Sequence, residues 1–413
     1  MPAPRFTAVL ALLSVLLAPP AFAQNSPPVN PVPASIPPAG SKAAAPPTSV
    51  QPTPPPTLLP QPTPGVQPTQ PPSTGFRRSD PFAPLPYYTR KNNWFYGGAL
   101  DFRYRTLTTS GDKETVGSYI AAARATIDFV RANPETGDER GGVRMQLVLE
   151  DDARKTSLNR VRASEVYGYY QFLFPGVSAT VRVGQFVLPF RLIAVYDTPL
   201  QLVQPLYEKS LGLRVDTGIA LEGYYGSQYH YGVALTTGAG PNRKDPDTNM
   251  LVTFRLERAF QTRNGNVQVG GSLLNGYAPR TGFNTELPPS GYASGGSYVK
   301  KSRFAADGTW MFKAFTGRGE IMFGSDDDKP VWGYFAEGNW RIRGPLDLRT
   351  FVKRWNFPNK PESAGSIGGG ADVVFAHNFS ARLLYEYERD VPFPAGSATQ
   401  TTRRLTLQGR VDF

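Results

Sequence analysis

From Trp94 to Phe413 the chain alternates apolar and polar side chains with period two, and few stretches hold a helical period. In Leu100-Asp101-Phe102-Arg103-Tyr104-Arg105 the apolar and aromatic side chains fall on one face of an extended strand and the charged ones on the other. Ala123, Ala125, Ile127 and Phe129 likewise oppose Arg124, Thr126 and Asp128, while Val143, Met145, Leu147 and Leu149 oppose Arg144, Gln146 and Glu150. Sixteen such strands can be marked, starting near Trp94, Ser118, Gly142, Arg160, Ser178, Asp216, Gln228, Asn249, Val267, Ser297, Arg318, Val331, Leu346, Ile367, Phe379 and Thr402. Short links fall at Pro175-Gly176, Gly226-Ser227, Arg263-Asn264-Gly265, Gly317-Arg318 and His377-Asn378, with longer polar links between them.

Two architectures accept this pattern. A soluble sandwich turns its charged faces to bulk water; a transmembrane barrel turns its apolar faces to lipid and its polar faces to a lumen. The even strand count, the alternating link lengths and the closing run Leu405 to Phe413 predict the second, a 16-stranded antiparallel transmembrane β-barrel over residues 91–413. About sixteen strands enclose an aqueous channel, whereas about eight fill their own interior. Aromatic residues at strand ends, such as Trp94, Phe95, Phe172, Phe174, Trp310, Phe312, Trp332 and Tyr334, suit interfacial girdles.

One link stands apart. Between Val187 and Val215 the chain carries Leu188, Phe190, Leu192, Ile193, Val195, Leu200, Leu202, Val203 and Leu206, which would be costly in a freely solvated loop. Folding inward against the barrel wall hides them and narrows the lumen; an external plug or a latch between subunits is the alternative. Arg191, Lys209 and Arg214 in this segment are offset by Asp197, Glu208 and Asp216.

Ahead of the strands the composition changes. Residues 1–23 join Arg5, an apolar run from Ala8 to Ala18 and Ala21-Phe22-Ala23, the pattern of a secretory signal cleaved after Ala23. Residues 24–90 hold 21 of the 41 prolines, as in Gln51-Pro52-Thr53-Pro54-Pro55-Pro56, and are expected to form a disordered, partly polyproline II linker. That arm is either a spacer that touches cell-wall material or an uncommitted tail. Export puts the chain beyond nucleic acid, so its +11 formal charge points to anionic lipid or anionic solutes.

The chain has no cysteine and only His230 and His377, neither beside a nucleophile signature, so enzyme chemistry, a metal site and a cofactor are not expected. Asp326-Asp327-Asp328 reads as a solvated acidic outer loop, with gathering of Ca²⁺ or a divalent bridge to lipid headgroups as the alternative.

Val183-Gly184-Gln185-Phe186-Val187-Leu188-Pro189-Phe190, followed by Asp216-Thr217-Gly218-Ile219-Ala220-Leu221-Glu222-Gly223, resembles a strand-to-loop motif of the phosphate-selective porin O and P family. Tyr231 to Asn242 is similar to that family's next strand and Asn-Gly-rich loop, with Thr237 where the family usually has Asn. The resemblance implies a passive, homotrimeric outer-membrane channel for small anions, phosphate among the candidates, with selectivity carried by basic residues of the lumen. The polar phase supplies Arg103, Arg105, Arg124, Arg144, Arg182, Arg349, Lys353, Arg382, Arg404 and Arg410, and the long loop adds Arg191, Lys209 and Arg214. Each is either a stepping stone for anions or the partner of an acid on a neighbouring strand. A different role remains open: a barrel that anchors the outer membrane to the cell wall through the proline-rich arm.

Overall fold

The computed structural model describes residues 89–91, 93–109, 112–132, 139–150, 160–190, 192, 202–203, 205–206, 210–226, 228–242, 248–279, 298–356, 363–376, 378–390 and 400–413. The signal, nearly all of the proline-rich arm, Arg191, Lys209 and His377 lie outside them.

A short strand, β1 (Thr89–Lys91), pairs with the start of β2 (Trp94–Thr109). The strands β3 (Asp112–Ala132), β4 (Glu139–Glu150), β5 (Arg160–Phe174), β6 (Val177–Val187), β7 (Val215–Tyr225), β8 (Tyr229–Thr236) and β9 (Leu251–Thr262) follow. The remainder are β10 (Gly265–Pro279), β11 (Tyr298–Phe312), β12 (Phe315–Asp326), β13 (Lys329–Arg343), β14 (Leu346–Asn356), β15 (Ser363–Ala376), β16 (Phe379–Asp390) and β17 (Gln400–Asp412). Each of β2 to β17 pairs antiparallel with its sequence neighbours, and β17 pairs with β2, so sixteen strands close a barrel with no free edge. Closure runs to the last residue: the Gly98 and Phe413 amides donate to each other's carbonyls at 2.6 and 3.0 Å.

The alternation resolves into two surfaces. Phe102, Tyr104, Ile127, Val143 and Met145 are exposed on the outside, while Asp101, Arg103, Arg105, Arg124, Asp128 and Gln146 are buried on the inner wall. Phe95 departs from the expected girdle: it points inward and is buried, because it stands one residue out of phase with Trp94 and Tyr96.

Two-residue turns link β5 to β6, β9 to β10, β11 to β12 and β13 to β14 at one rim, and most of the longer links share the other, here called the loop rim. The turn expected at Gly317-Arg318 is instead at Lys313-Ala314, where Lys313 takes a positive φ of 51°. Gly317 is a strand residue lying beneath the ring of Phe315, 3.0 Å from where its own Cβ would stand. It marks a close approach of an aromatic ring, and no turn. Asp327-Asp328 is a two-residue hairpin with φ of 46° and 65°, tighter than the acidic loop expected there.

Candidate functional site

The long link enters the lumen. At its neck the Leu188 amide donates to the Arg214 carbonyl at 3.0 Å, and beyond it Leu188, Phe190, Leu192, Val203, Leu206, Leu211 and Leu213 are all buried. They share one apolar cluster with inner-wall residues of β9 to β16, among them Leu251, Leu274, Ala305, Met322, Val331, Phe335, Phe351, Trp355 and Leu384. The loop-rim half of this arc therefore carries an apolar inner patch under the loop.

Three polar side chains fix the loop on this bed. The Ser210 amide donates to the Leu206 carbonyl at 2.9 Å. The Leu206 amide donates to Glu320 Oε1 on β12 at 2.9 Å. Lys301 Nζ and an Arg303 guanidinium nitrogen on β11 donate to the Leu211 and Ser210 carbonyls at 2.7 and 3.1 Å. A carboxylate thus takes a buried backbone amide of the loop and two cations take buried backbone carbonyls. Arg303 also pairs with Asp326 and lies over the Trp355 ring at 5.8 Å, which holds the anchor to the bed. Asp326 is thereby engaged in the wall.

Below the bed runs a chain of charges. Arg318 pairs with Glu337 at 3.6 Å, Glu337 with Arg349 at 3.0 Å, and Arg349 with Asp372 at 2.7 Å. Asp372 meets Arg382 at 3.6 Å, Arg382 donates to Gln408 at 3.5 Å, and Gln408 donates to Asp101 at 2.8 Å. Arg103 completes it on Asp101 at 2.6 Å. The chain crosses every strand from β12 to β17 and then the seam into β2, so it ties the two ends of the barrel sheet together.

Among the other expected basic residues, Arg144 pairs with Asp128 at 3.3 Å, Arg182 with Glu222 at 2.7 Å, Lys353 with Glu386 at 3.5 Å, Arg404 with Glu386 at 2.5 Å and Arg410 with Asp412 at 2.7 Å. Arg105 and Arg124 are buried on the same inner wall. Arg214 is half-buried at the loop neck. Pairing with acids, one of the two readings open from the sequence, thus holds for most of this set. The distribution is nevertheless uneven. On the arc from β17 through β6, Arg404, Arg410, Arg103, Arg105, Arg124, Arg144 and Arg182 outnumber the described carboxylates Asp412, Asp101, Asp128 and Glu165. From β7 to β15 the described inner carboxylates, including Asp216, Glu222, Glu257, Asp307, Glu320, Glu337 and Asp372, outnumber the cations.

Sequence reasoning missed Lys301, Arg303 and Glu320. Their signal was present as polar phases on β11 and β12, but nothing local distinguishes an anchor from any other lumen residue. It also missed the network of Arg255, whose guanidinium contacts Asp307 at 2.6 Å and Glu257 at 2.6 Å.

The motif residues meet at the loop rim. Asp216 accepts from the amides of Thr217 at 2.9 Å, Gly238 at 2.6 Å and Gly240 at 3.1 Å, and from the Thr237 hydroxyl at 3.0 Å. Gln185 accepts from the Asn242 amide at 2.8 Å and donates to the Ala163 carbonyl at 2.8 Å, which also takes Asn242 Nδ2 at 2.6 Å. Gly238 has a φ of 73°, and a Cβ there would fall 2.0 Å from the Tyr277 carbonyl oxygen. Gln185, Asp216, Thr237, Gly238 and Asn242 therefore form a latch that holds the β8–β9 link beside the neck of the inward loop. Thr237 supplies its hydroxyl where an Asn side chain stood in the expected motif.

No protein-family model matches the chain, and no curated protein matches its sequence. Solved structures do match its fold. The anion-selective porin from Comamonas acidovorans is similar at a TM-score of 0.55 and 9% identity, over 78% of this chain and 99% of that one. The outer membrane channel DcaP of Acinetobacter baumannii gives a TM-score of 0.55 at 9% identity, covering 80% of this chain and 100% of its own. OmpT of Vibrio cholerae, an outer membrane protein solved in a trimer form, gives 0.54 at 10% identity over 78% and 100%. At these identities the likeness is one of architecture: this chain has the barrel fold of outer-membrane porins.

Proposed function

We propose that this protein is a porin of the outer membrane, a passive diffusion channel for small solutes that favours anions. The observation that carries this reading is the loop seated on the apolar arc, which leaves the arginine-rich arc from β17 to β6 as the opposite wall of the remaining path. A solute there passes guanidinium groups fixed by carboxylates on one side. Each is a permanent charge on the wall, and the neighbouring carboxylates keep any one of them from being a deep well, which transit requires. Phosphate is one such anion, but the motif that suggests it builds a latch between strand ends, so a phosphate preference would have to come from the arc itself.

The same reading takes residues 1–23 as a signal removed after Ala23, residues 24–90 as a periplasmic arm and the working form as a homotrimer, in line with the trimer form of the similar OmpT. No catalytic step is assigned. Reconstitution of the mature chain in a planar bilayer tests the proposal. Discrete conductance steps that phosphate partly blocks are expected, whereas stable insertion without conductance would overturn the channel and favour the anchoring role. Deleting residues 24–90 separates the two roles, since a channel keeps its conductance and a tether loses envelope cohesion.

A further inference from the structure

Arg354 on β14, Arg389 on β16 and Arg403 on β17 break the apolar phase of the outer wall. Their neighbours in phase, Leu383, Tyr385, Tyr387, Leu405 and Leu407, are exposed on the lipid-facing side, while Trp355, Glu386 and Arg404 one residue away are buried inside. All three arginines are exposed and lie near the loop rim.

Register brings them together. Arg354 and Arg389 both pair with Gly365 of β15, so two long side chains flank a position that has none, about 10 Å apart at ordinary strand spacing. Arg389 pairs with Thr401 and Arg403 with Tyr387, which makes Arg389 and Arg403 diagonal neighbours roughly 7–8 Å apart. The Arg354 guanidinium lies over the Trp332 ring at 5.5 Å and opposite Tyr334 in register, while Tyr387 is opposite Arg403 and two residues from Arg389. Among the described residues, no carboxylate pairs with any of the three, in contrast to the arginines of the charge chain inside the lumen.

A guanidinium on the lipid-facing phase is costly at the bilayer midplane and nearly free at the interface, where anionic headgroups attract it. We propose that Arg354, Arg389 and Arg403 form a binding site for the phosphate groups of an anionic lipid in the leaflet at the loop rim. The notch at Gly365 admits the headgroup between two forked donors, and the aromatic residues meet its glycerol or sugar backbone. The site opens outward, away from the solute path, which is why its ligand is a lipid headgroup and not a permeating anion. The inference rests on the outer-membrane reading above.

The test uses the full mature chain in nanodiscs of phosphatidylcholine doped with diphosphorylated lipid A, with lipid retention followed by native mass spectrometry. Retention is expected for the native chain and should fall roughly tenfold or more in R354Q/R389Q/R403Q. The control K313Q/R343Q, at the opposite rim, should retain the lipid as the native chain does. Equal retention by the triple variant would overturn the site. So would equal retention of dephosphorylated lipid, displacement of the lipid by inorganic phosphate alone, or dissociation of an oligomer by the triple substitution, which would make the patch a subunit contact. A chain that fails to enter nanodiscs fails the outer-membrane reading itself; a chain that enters without phosphate-dependent retention fails only the lipid site.

Discussion

The two halves of the inner wall obey one alternation rule and do different things with it. From β17 to β6 many inward positions are arginines and carboxylates; from β9 to β16 an apolar inward patch is covered by the loop, with Lys301, Arg303 and Asp326 at its rim and a chain of charges below it. The contrast teaches that an inward phase is not by itself a hydrated phase. What the position faces across the lumen decides whether burial of hydrocarbon or solvation of charge wins. Covering Phe335, Phe351 and Trp355 contributes about 2 kcal/mol or more for each side chain, which offsets the ordering of a long loop that would otherwise wave at the rim.

The largest break in this contrast is expected from Arg303→Met. It leaves Asp326 without its buried partner and frees the Ser210 carbonyl, a loss of about 3 kcal/mol, and it should release the loop. Because the chain has no cysteine, a single Leu211→Cys reporter reads this directly. It should be protected from a thiol reagent in the native protein and react readily once Arg303 is replaced, with a rise in single-channel conductance. Trp355→Ala should act through the bed with a comparable loss of about 3 kcal/mol in urea unfolding from vesicles, and the same gain in conductance. Asp216→Asn weakens several charge-assisted bonds of the latch at once and should cost about 1–3 kcal/mol. Its effect on ion selectivity should be small, because the Asp216 carboxylate is fully buried against the latch's own amides. At the small end, Asp328→Gly relieves a positive φ in the β12–β13 hairpin and should stabilise by about 0.5–1 kcal/mol with conductance unchanged, which serves as a control for the other variants.

Much of the fold was legible. The phases of β2, β3 and β4 follow from alternation alone, and the strand starts at Trp94, Arg160, Leu346 and Phe379 coincide with those expected. The inward course of the long loop followed from its apolar content. What was not legible needed the barrel to close. The run Val331-Trp332-Gly333-Tyr334-Phe335 has no polar phase, and its inner members make sense only once the loop lies on them. Lys301 and Arg303 look like any lumen pair until the Ser210 and Leu211 carbonyls arrive from some ninety residues away. Gly317 misled in the other direction, because a glycine serves a ring overhead as readily as a turn. The basic ladder was visible as a count of arginines, but a count does not tell which acid each one meets; Arg349 bridges Glu337 and Asp372 on different strands.

The reversal potential across a KCl gradient, compared between the native chain and R103Q/R105Q/R124Q, decides whether the arginine arc sets selectivity. The arginine arc as the selective wall predicts an anion-selective native channel and a clear shift toward cations in the variant, with the loop still protected at Leu211. A native channel without anion preference, or a variant whose reversal potential equals the native one, would contradict it.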